Sequence, residues 1–254
     1  MVDGLVSIIR PSWNTGRFIA ESIQSVVNQT YKRWELIIVD DCSTDNTDEV
    51  VASFKDNRIK YFHNEKNSGA AVTRNKAIHE AIGEWIAFLD SDDLWAPEKL
   101  EKQLEFMNSH GYVFSYHDYV KIDEESKPLN VYVTGPEVVT KSKMYNYGYP
   151  GCLTFMYRAK AMGLIQIKDI KKNNDYAILL KLCKKADCYL LKENLAQYRI
   201  RKKSISHDKI TKKLKSHYDL FHYCDEQATP MAFWYACWNM WYGLMKKKNY
   251  EIKI

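Results

Sequence analysis

Hydrophobic positions in the first 110 residues fall into short apolar runs separated by helical repeats. Leu5-Val-Ser-Ile-Ile9 reads as a buried strand that stops at Pro11, because proline cannot donate to a ladder. From about Arg17 to Asn28, Ile19, Ile23, Val26 and Val27 recur at helical spacing and predict a helix lying on the sheet. Trp34-Glu-Leu-Ile-Ile-Val39 is a second strand, and Asp40-Asp-Cys-Ser-Thr-Asp-Asn-Thr47 after it opens a helix through Val50, Val51 and Phe54. A short strand from Ile59 to His63, a helix introduced by Gly69 and ended by Gly83, and a strand Trp85-Ile-Ala-Phe-Leu89 continue the alternation. Asp90-Ser-Asp-Asp93 closes that strand, and Pro97 starts a helix whose apolar face is Leu100, Leu104 and Met107.

Strands alternating with helices predict an α/β fold: a mostly parallel sheet covered on both faces, with ligands bound beyond the carboxyl ends of the strands. Beyond Gly111 the pattern changes. It predicts mixed strands, a long loop around Lys127 to Pro150, a strand from Cys152 to Tyr157, a helix from about Asp175 to Lys185 and a strand from Cys188 to Leu191. Two closing helices are expected near Lys209 to Glu226 and Pro230 to Lys247, with no internal repeat and no separate domain after Gly111.

With 254 residues, 46% of them hydrophobic and 27% charged, the chain is neither collagen-like nor mostly disordered. A membrane span needs roughly 20 apolar residues, and the nearest stretch, Met231 to Met245, is shorter and interrupted by Asn239. Met1 to Arg10 lacks the basic start and long apolar run of a secretory signal, so a cytoplasmic location is expected. The six cysteines form no CxxC pair, which argues against a zinc knuckle or a disulfide framework. The net charge of +5 hides an asymmetry: residues 1–127 hold 14 Lys+Arg against 22 Asp+Glu, leaving 23 against 10 for the rest. An acidic half that could hold a cation and a basic half that could hold phosphates suit a shared anionic ligand, although solvated faces would look the same.

Asp90-Ser-Asp-Asp93 is the strongest local signal, because magnesium or manganese is usually held by one or two carboxylates plus substrate phosphates. Acidic residues after a strand also serve as helix caps. Asp40 and Asp41 follow another parallel strand, so both clusters can meet in one crevice at the same sheet edge.

Val6-Ser-Ile-Ile-Arg-Pro-Ser-Trp-Asn14, Val39-Asp-Asp-Cys-Ser-Thr-Asp45, Arg74-Asn75 and Phe88-Leu-Asp-Ser-Asp-Asp93, in that order, resemble the bacterial family 2 glycosyltransferases of the GT-A fold. The match is close over about 110 residues and continues more loosely through Asn174-Asp175 and Tyr198-Arg-Ile-Arg201 to Ser206. The chain looks most like enzymes building capsular, O-antigen or teichuronic acid polysaccharides. On this resemblance, 1–208 is the transferase domain, with 1–110 the nucleotide-binding half and 111–208 the acceptor half, and 209–254 is a helical extension packed on it.

The resemblance implies a role for each matched position. Pro11 and Asp41 would line a uracil pocket, Asp41 accepting the ring N–H, while Asp40 supports the turn. Asp90 and Ser91 would lie by the nucleotide, Asp92 would ligate Mn2+ or Mg2+, and Asp93 would orient the acceptor or the metal's water. Arg74 would pair with phosphate or base edge. Asp175 would be the base taking the acceptor hydroxyl's proton, implying single displacement with inversion, though an Asp there could also be only a helix cap. Arg199, Arg201, Ser204 and Ser206 would belong to a loop closing over the diphosphate, with His207 a third metal ligand or a solvated loop residue. The implied partners are a UDP-sugar donor and a saccharide or lipid-linked saccharide acceptor, with no nucleic acid.

Three positions depart from the pattern: Arg10 where an apolar residue is usual, Cys42 for a common Gly, and Asn174 for a common Glu. Arg10 could reach solvent, pair with a carboxylate or impair the strand, which leaves open a catalytically impaired nucleotide-sugar or glycan-binding protein on the same fold. A phospho-acceptor receiver domain is disfavoured, because Val6 to Ile9 forms a strand ahead of the acidic pair. Phe233, Trp234, Tyr235, Trp238, Trp241 and Tyr242, followed by Lys246-Lys-Lys248, suit a helix at an anionic membrane surface or one packed on the body or a second subunit.

Overall fold

The structure is a computed structural model in which residues 1–201 and 210–254 are described. Ser204, Ser206 and His207 lie outside the described residues. The first half runs β1 (Val2–Ser12), α1 (Ile19–Val27), β2 (Trp34–Asp40), α2 (Thr47–Ser53), β3 (Ile59–His63), α3 (Ala70–His79), β4 (Gly83–Phe88), β5 (Leu94–Trp95) and α4 (Lys99–His110). The second half runs β6 (Phe114–Ile122), β7 (Pro128–Val133), β8 (Val138–Val139), α5 (Lys141–Asn146), a 3-10 turn Cys152–Thr154, β9 (Met156–Arg158), α6 (Ala159–Met162), α7 (Asn174–Cys183) and β10 (Cys188–Arg199). It closes with α8 (Ile210–Asp219), a wider π turn Leu220–Cys224, α9 (Thr229–Tyr250) and β11 (Glu251–Lys253).

One sheet takes strands from both halves in the order β11-β7-β6-β9-β4-β1-β2-β3, with β10 joining β6 and also pairing β5 and β8. The β4-β1-β2-β3 part is parallel, whereas β9 is antiparallel to both β4 and β6. The central strands are continuous apolar runs because helices cover both of their faces. Ile9, Ile37, Val39 and Phe88 face one way, onto Ala77 and Ile78 of α3 and the apolar side of α7. Ile8, Leu36, Ile38 and Ala87 face the other way, onto Ile19, Ile23 and Val26 of α1 and Leu100, Leu104 and Met107 of α4. The period of 2 in the strands and 3.6 in the helices therefore sorts the core without exception at these positions.

The structure corrects several expectations. β1 runs through Pro11 to Ser12 instead of stopping. Its pairing with β4 ends at Ile9 and Phe88, so the proline's missing N–H faces the side where the ladder has already closed, while Pro11 and Ser12 keep register with Val39 and Asp40 of β2. The long loop around Lys127 to Pro150 contains β7, β8 and α5. The strand expected over Cys152 to Tyr157 is a 3-10 turn followed by β9, and the strand at Cys188 extends to Arg199 because β6 offers it a long partner. Gly83 begins β4 and does not end a helix.

Gly83 is required by space. Its N–H donates to Ser7 Oγ at 2.8 Å, and a Cβ there would lie 2.6 Å from the Leu5 carbonyl oxygen and 2.8 Å from the Ser7 nitrogen. Both are backbone atoms of the central strand and cannot swing aside. Gly83→Ala is expected to destabilise the fold by about 1–3 kcal/mol in urea unfolding, the usual cost of overpacking a core. An unchanged midpoint would show that β1 and β4 can separate there at no cost.

Candidate active site

The carboxyl ends of β2 and β4 flank the end of β1, and each is followed by an acidic turn. A cavity of about 650 Å³ opens there. It brings together ten of the residues singled out from the sequence: Pro11, Asp41, Arg74, Asp90, Ser91, Asp92, Asp93, Asp175, Arg199 and Arg201. Asp40 is not among the lining residues. It is buried behind the wall, where its carboxylate accepts the Ser43 N–H at 2.7 Å and the Ser43 hydroxyl at 2.5 Å, so it shapes the turn after β2.

Asp41 organises the adjacent loop. Its Oδ1 accepts from Asn64 Nδ2 at 2.7 Å and the Ser68 N–H at 2.8 Å, and its Oδ2 accepts the Gly69 N–H at 2.7 Å. Gly69, with φ of +84°, precedes α3, and that helix carries Arg74 to the cavity. Arg74 Nη2 donates to Asp90 Oδ1 at 2.7 Å. Burial works against its charge, but the carboxylates of Asp90 and Asp175 outweigh burial and hold its pKa above the ordinary value. Burial pushes the Cys152 thiol well up, so that neighbour stays protonated.

The acidic turn is tied down from both sides. Ser91 Oγ donates to the Pro11 carbonyl at 2.9 Å. The Arg199 N–H donates to Asp93 Oδ1 at 2.9 Å, and Arg199 Nε donates to the Asp92 carbonyl at 2.7 Å. The rest of the Arg199 guanidinium is engaged by Glu21 Oε2, Ser126 Oγ and the Asp123 carbonyl. It is a buried rivet behind the turn, with its donors directed into protein. Arg201, half-buried, bonds Asp92 Oδ2 at 2.9 Å. Burial raises the pKa of Asp92, which Arg201 pulls back and Asp90 pushes further up. Asp93 is more deeply buried, and burial together with Asp92 and Asp90 raises its pKa well above the carboxylate range.

Arg10 lies under this turn with no solvent exposure. Its Nη2 donates to the Ser22 carbonyl at 3.2 Å, whereas Nε and Nη1 have no hydrogen-bond partner among the described residues. Burial brings its pKa down to about 9, with Asp90, Asp93 and Asp92 acting in the opposite direction. The side chain therefore neither reaches solvent nor breaks the strand. It sits within the field of three carboxylates.

Asp175 is the second residue of α7, where the helix N-terminus favours a negative charge. It is half-buried. Burial raises its pKa, Arg74 lowers it and Asp90 raises it. Asp175 also lines a second, smaller cavity of about 150 Å³, shared with Tyr147, Tyr176, His217 and Asn239. Asp175 thus borders two spaces, one walled by the acidic turn and one walled in part by the C-terminal helices.

The donor set fits a hard divalent cation: Asp90 and Asp92 supply carboxylate oxygens from one turn on the wall of an open cavity. Asp40, Asp48 and His63 also gather possible ligand atoms within 4.8 Å of one another, but none of the three lines the cavity, and Asp48 and His63 are exposed. Several lining residues had no role in the sequence reading: Trp13, Thr15, Asn67 and Lys171. Trp13 had a usable signal, being a large aromatic in the turn directly after a buried strand. Lys171 lies in a loop whose distance from β1 in sequence hides it.

A family model described as glycosyl transferase family 2 matches residues 7–162. A Bacillus subtilis protein named as teichuronic acid biosynthesis glycosyltransferase TuaG is 43% identical over 208 residues, covering 81% of this chain and 82% of that one. An Escherichia coli UDP-Glc:alpha-D-GlcNAc-diphosphoundecaprenol beta-1,3-glucosyltransferase, WfgD, is 36% identical over 255 residues, covering 100% of this chain and 98% of that one. Among solved structures, S. aureus TarS 1–349 in complex with UDP-GlcNAc superposes with a TM-score of 0.72 at 20% identity, over 96% of this chain and 74% of that one. The mannosyltransferase PcManGT of Pyrobaculum calidifontis, in complex with GDP-Man and Mn2+, gives 0.65 at 16% identity, over 94% and 75%. These two show the fold alone. With the ordered motifs on one crevice of a GT-A sheet and a family match over more than half its length, the chain belongs to glycosyl transferase family 2 and is a glycosyltransferase.

Proposed function

We propose that this enzyme transfers a sugar from a UDP-sugar, with inversion and with a divalent cation, to a hydroxyl of a lipid-linked bacterial surface-glycan acceptor. The observation that carries the reading is the convergence of Asp90, Asp92, Arg74 and Asp175 on one cavity. The donor class is supported by the relative named for UDP-Glc, and the acceptor class by the relatives named for teichuronic acid biosynthesis and for transfer to GlcNAc-diphosphoundecaprenol.

In this reading the nucleotide lies against Pro11 and the loop organised by Asp41, and the diphosphate lies toward Asp92. Asp92, with Asp90 beside it, would hold Mn2+ or Mg2+, which when bound would neutralise charge on the leaving diphosphate. Arg74 keeps Asp90 in place and lends positive charge to the same wall. Arg201 bonds Asp92 and lies where it can turn to a phosphate, whereas Arg199 supports the turn from behind. Asp175 takes the proton from the acceptor hydroxyl as the new bond forms on the sugar face opposite the leaving group. The smaller cavity on its other side is the natural seat for the acceptor. We assign 1–208 as the transferase domain and 209–254 as an extension that helps wall this seat.

Buried Arg10 is the observation favouring a second reading, a binding protein with weakened cation affinity, since its charge opposes a metal across the same carboxylates. Calorimetric titration with UDP, ADP and GDP, with and without manganese, separates the two. The parent is expected to prefer UDP and to need the metal, and Asp92→Asn is expected to lose about tenfold or more in affinity. UDP binding by the parent that manganese does not change, becoming metal-dependent in Arg10→Leu, would establish the second reading; no binding in either would sink both.

Asp175→Asn is expected to lower kcat by about 10²–10⁴-fold while UDP still binds. A variant that turns over normally would remove Asp175 from the chemistry.

The pH dependence follows from the raised pKa of Asp175. A base works only when deprotonated, and this carboxyl keeps its proton at pH values where an ordinary aspartate has lost it. Activity should therefore fall on the acid side through a pKa above the usual aspartate value. Arg74→Gln removes the cation that lowers this pKa, so the acid limb should move to higher pH as well as the rate falling. An acid limb that stays in place would mean another group sets it.

A further inference from the structure

α9 is two-faced, and its outer face is apolar. Ala232, Ala236, Asn239 and Lys246 are buried against the body, with Tyr235 half-buried beside them. On the opposite side, Phe233, Trp234, Trp241 and Leu244 are 54%, 57%, 51% and 71% exposed, and Cys237 and Met245 are exposed with them. At 100° per residue these six side chains occupy one continuous stripe along about 18 Å of helix. Monomeric soluble proteins seldom leave such a stripe to water.

The stripe is also stiff. Trp238 stacks on Trp234 at 5.5 Å and on Trp241 at 5.3 Å, and its indole N–H is fixed to Asn146 Oδ1 at 3.0 Å. Three indoles are therefore held in a row without their having collapsed onto the core.

We propose that this face of α9 docks the enzyme on an anionic lipid bilayer surface. Tryptophans set in an aliphatic stripe are the composition of a helix lying at the level of the headgroups. No acidic residue occurs between Gln227 and Tyr250. Exposed Lys248 ends the stripe, and α8, packed on α9, carries exposed Lys212 and Lys213, with Lys215 paired to Asp219. A second copy of the chain would bring the same positive charges together, whereas an anionic surface complements them. Lys246 does not join this rim: it is buried, donates to the Tyr149 carbonyl at 3.2 Å, and burial brings its pKa down to about 8.

The same helix carries Asn239 on its inner face, where it lines the cavity beside Asp175. Docking through the outer face would hold that cavity near a lipid-borne acceptor; this link alone rests on the proposed function. The docking itself is tested without it.

The full chain is floated with vesicles of phosphatidylglycerol and phosphatidylethanolamine, and separately with phosphatidylcholine. We expect binding to the anionic vesicles with a blue shift in tryptophan emission, and little binding to phosphatidylcholine. Trp234→Ser with Trp241→Ser should cut the bound fraction at least fivefold, and Lys212→Glu with Lys213→Glu should do so on anionic vesicles. The changed side chains are exposed, so thermal midpoints should stay near the parent's and serve as the folding control. Absence of flotation, or flotation unchanged by the tryptophan pair, would overturn the proposal. A parent that is dimeric by light scattering, does not float, and becomes monomeric in the tryptophan variant would assign the face to a second copy instead. UDP titration of the same variants reports separately on the proposed function.

Discussion

Asp90, Asp92, Asp93 and Asp175 surround one crevice at the carboxyl edge of a parallel sheet, and their mutual repulsion is the constraint around which the site is built. Burial raises the pKa of Asp92, Asp93 and Asp175 even with the neighbouring arginines pulling the other way, so without those arginines the cluster would hold protons still more strongly. Three buried arginines answer it from three directions: Arg10 from beneath the turn, Arg74 from α3 and Arg199 from the end of β10. Each comes from a different part of the chain, so the charge balance of the crevice exists only when the sheet is complete.

These arginines are not equivalent. Arg199 has its donors committed to the backbone and side chains behind the acidic turn, which makes it a geometric device as well as a charge. Arg74 stands at the cavity wall between Asp90 and Asp175 and so couples the donor side to the proposed base. Among the described residues Arg10 makes one bond, to a carbonyl, and two of its nitrogens find no partner, which is unusual for a buried guanidinium. What offsets it is the field of the carboxylates above, and the same field is what a divalent cation would use. Arg10 would therefore oppose a divalent cation electrostatically across one turn.

The C-terminal helices illustrate how packing sorts a mixed sequence. The aromatic residues of α9 point to too many sides for an isolated amphipathic helix, yet the body covers one side and leaves another bare. The covered side delivers Asn239 to the small cavity, and the bare side carries the tryptophan row. One element thus walls the space beside Asp175 and presents an apolar strip outward.

Much of this was legible in the sequence. Apolar runs of four to six residues, turn residues after them and helical spacing between them are local signals, and they located β1 to β4, α1 to α4 and both acidic turns at strand ends. Family motifs then named Asp41, Arg74, Asp90, Asp92 and Asp175, and the sheet brought all five to one cavity. Residues 127–150 read as a loop because β7 and β8 are short: β7 lies between its hairpin neighbour β6 and β11, and β8 pairs with β10, and both β10 and β11 are far away in sequence. Arg199 read as a phosphate ligand because sequence records its charge but not its partners. Lys246 read as part of a basic rim for the same reason. Sequence by itself determined where strands end and which ends carry carboxylates, since those depend on neighbouring residues. Tertiary structure alone decided which charges face one another, which arginines are spent inside the protein and which side of α9 meets solvent, because burial and pairing depend on what the distant chain places alongside.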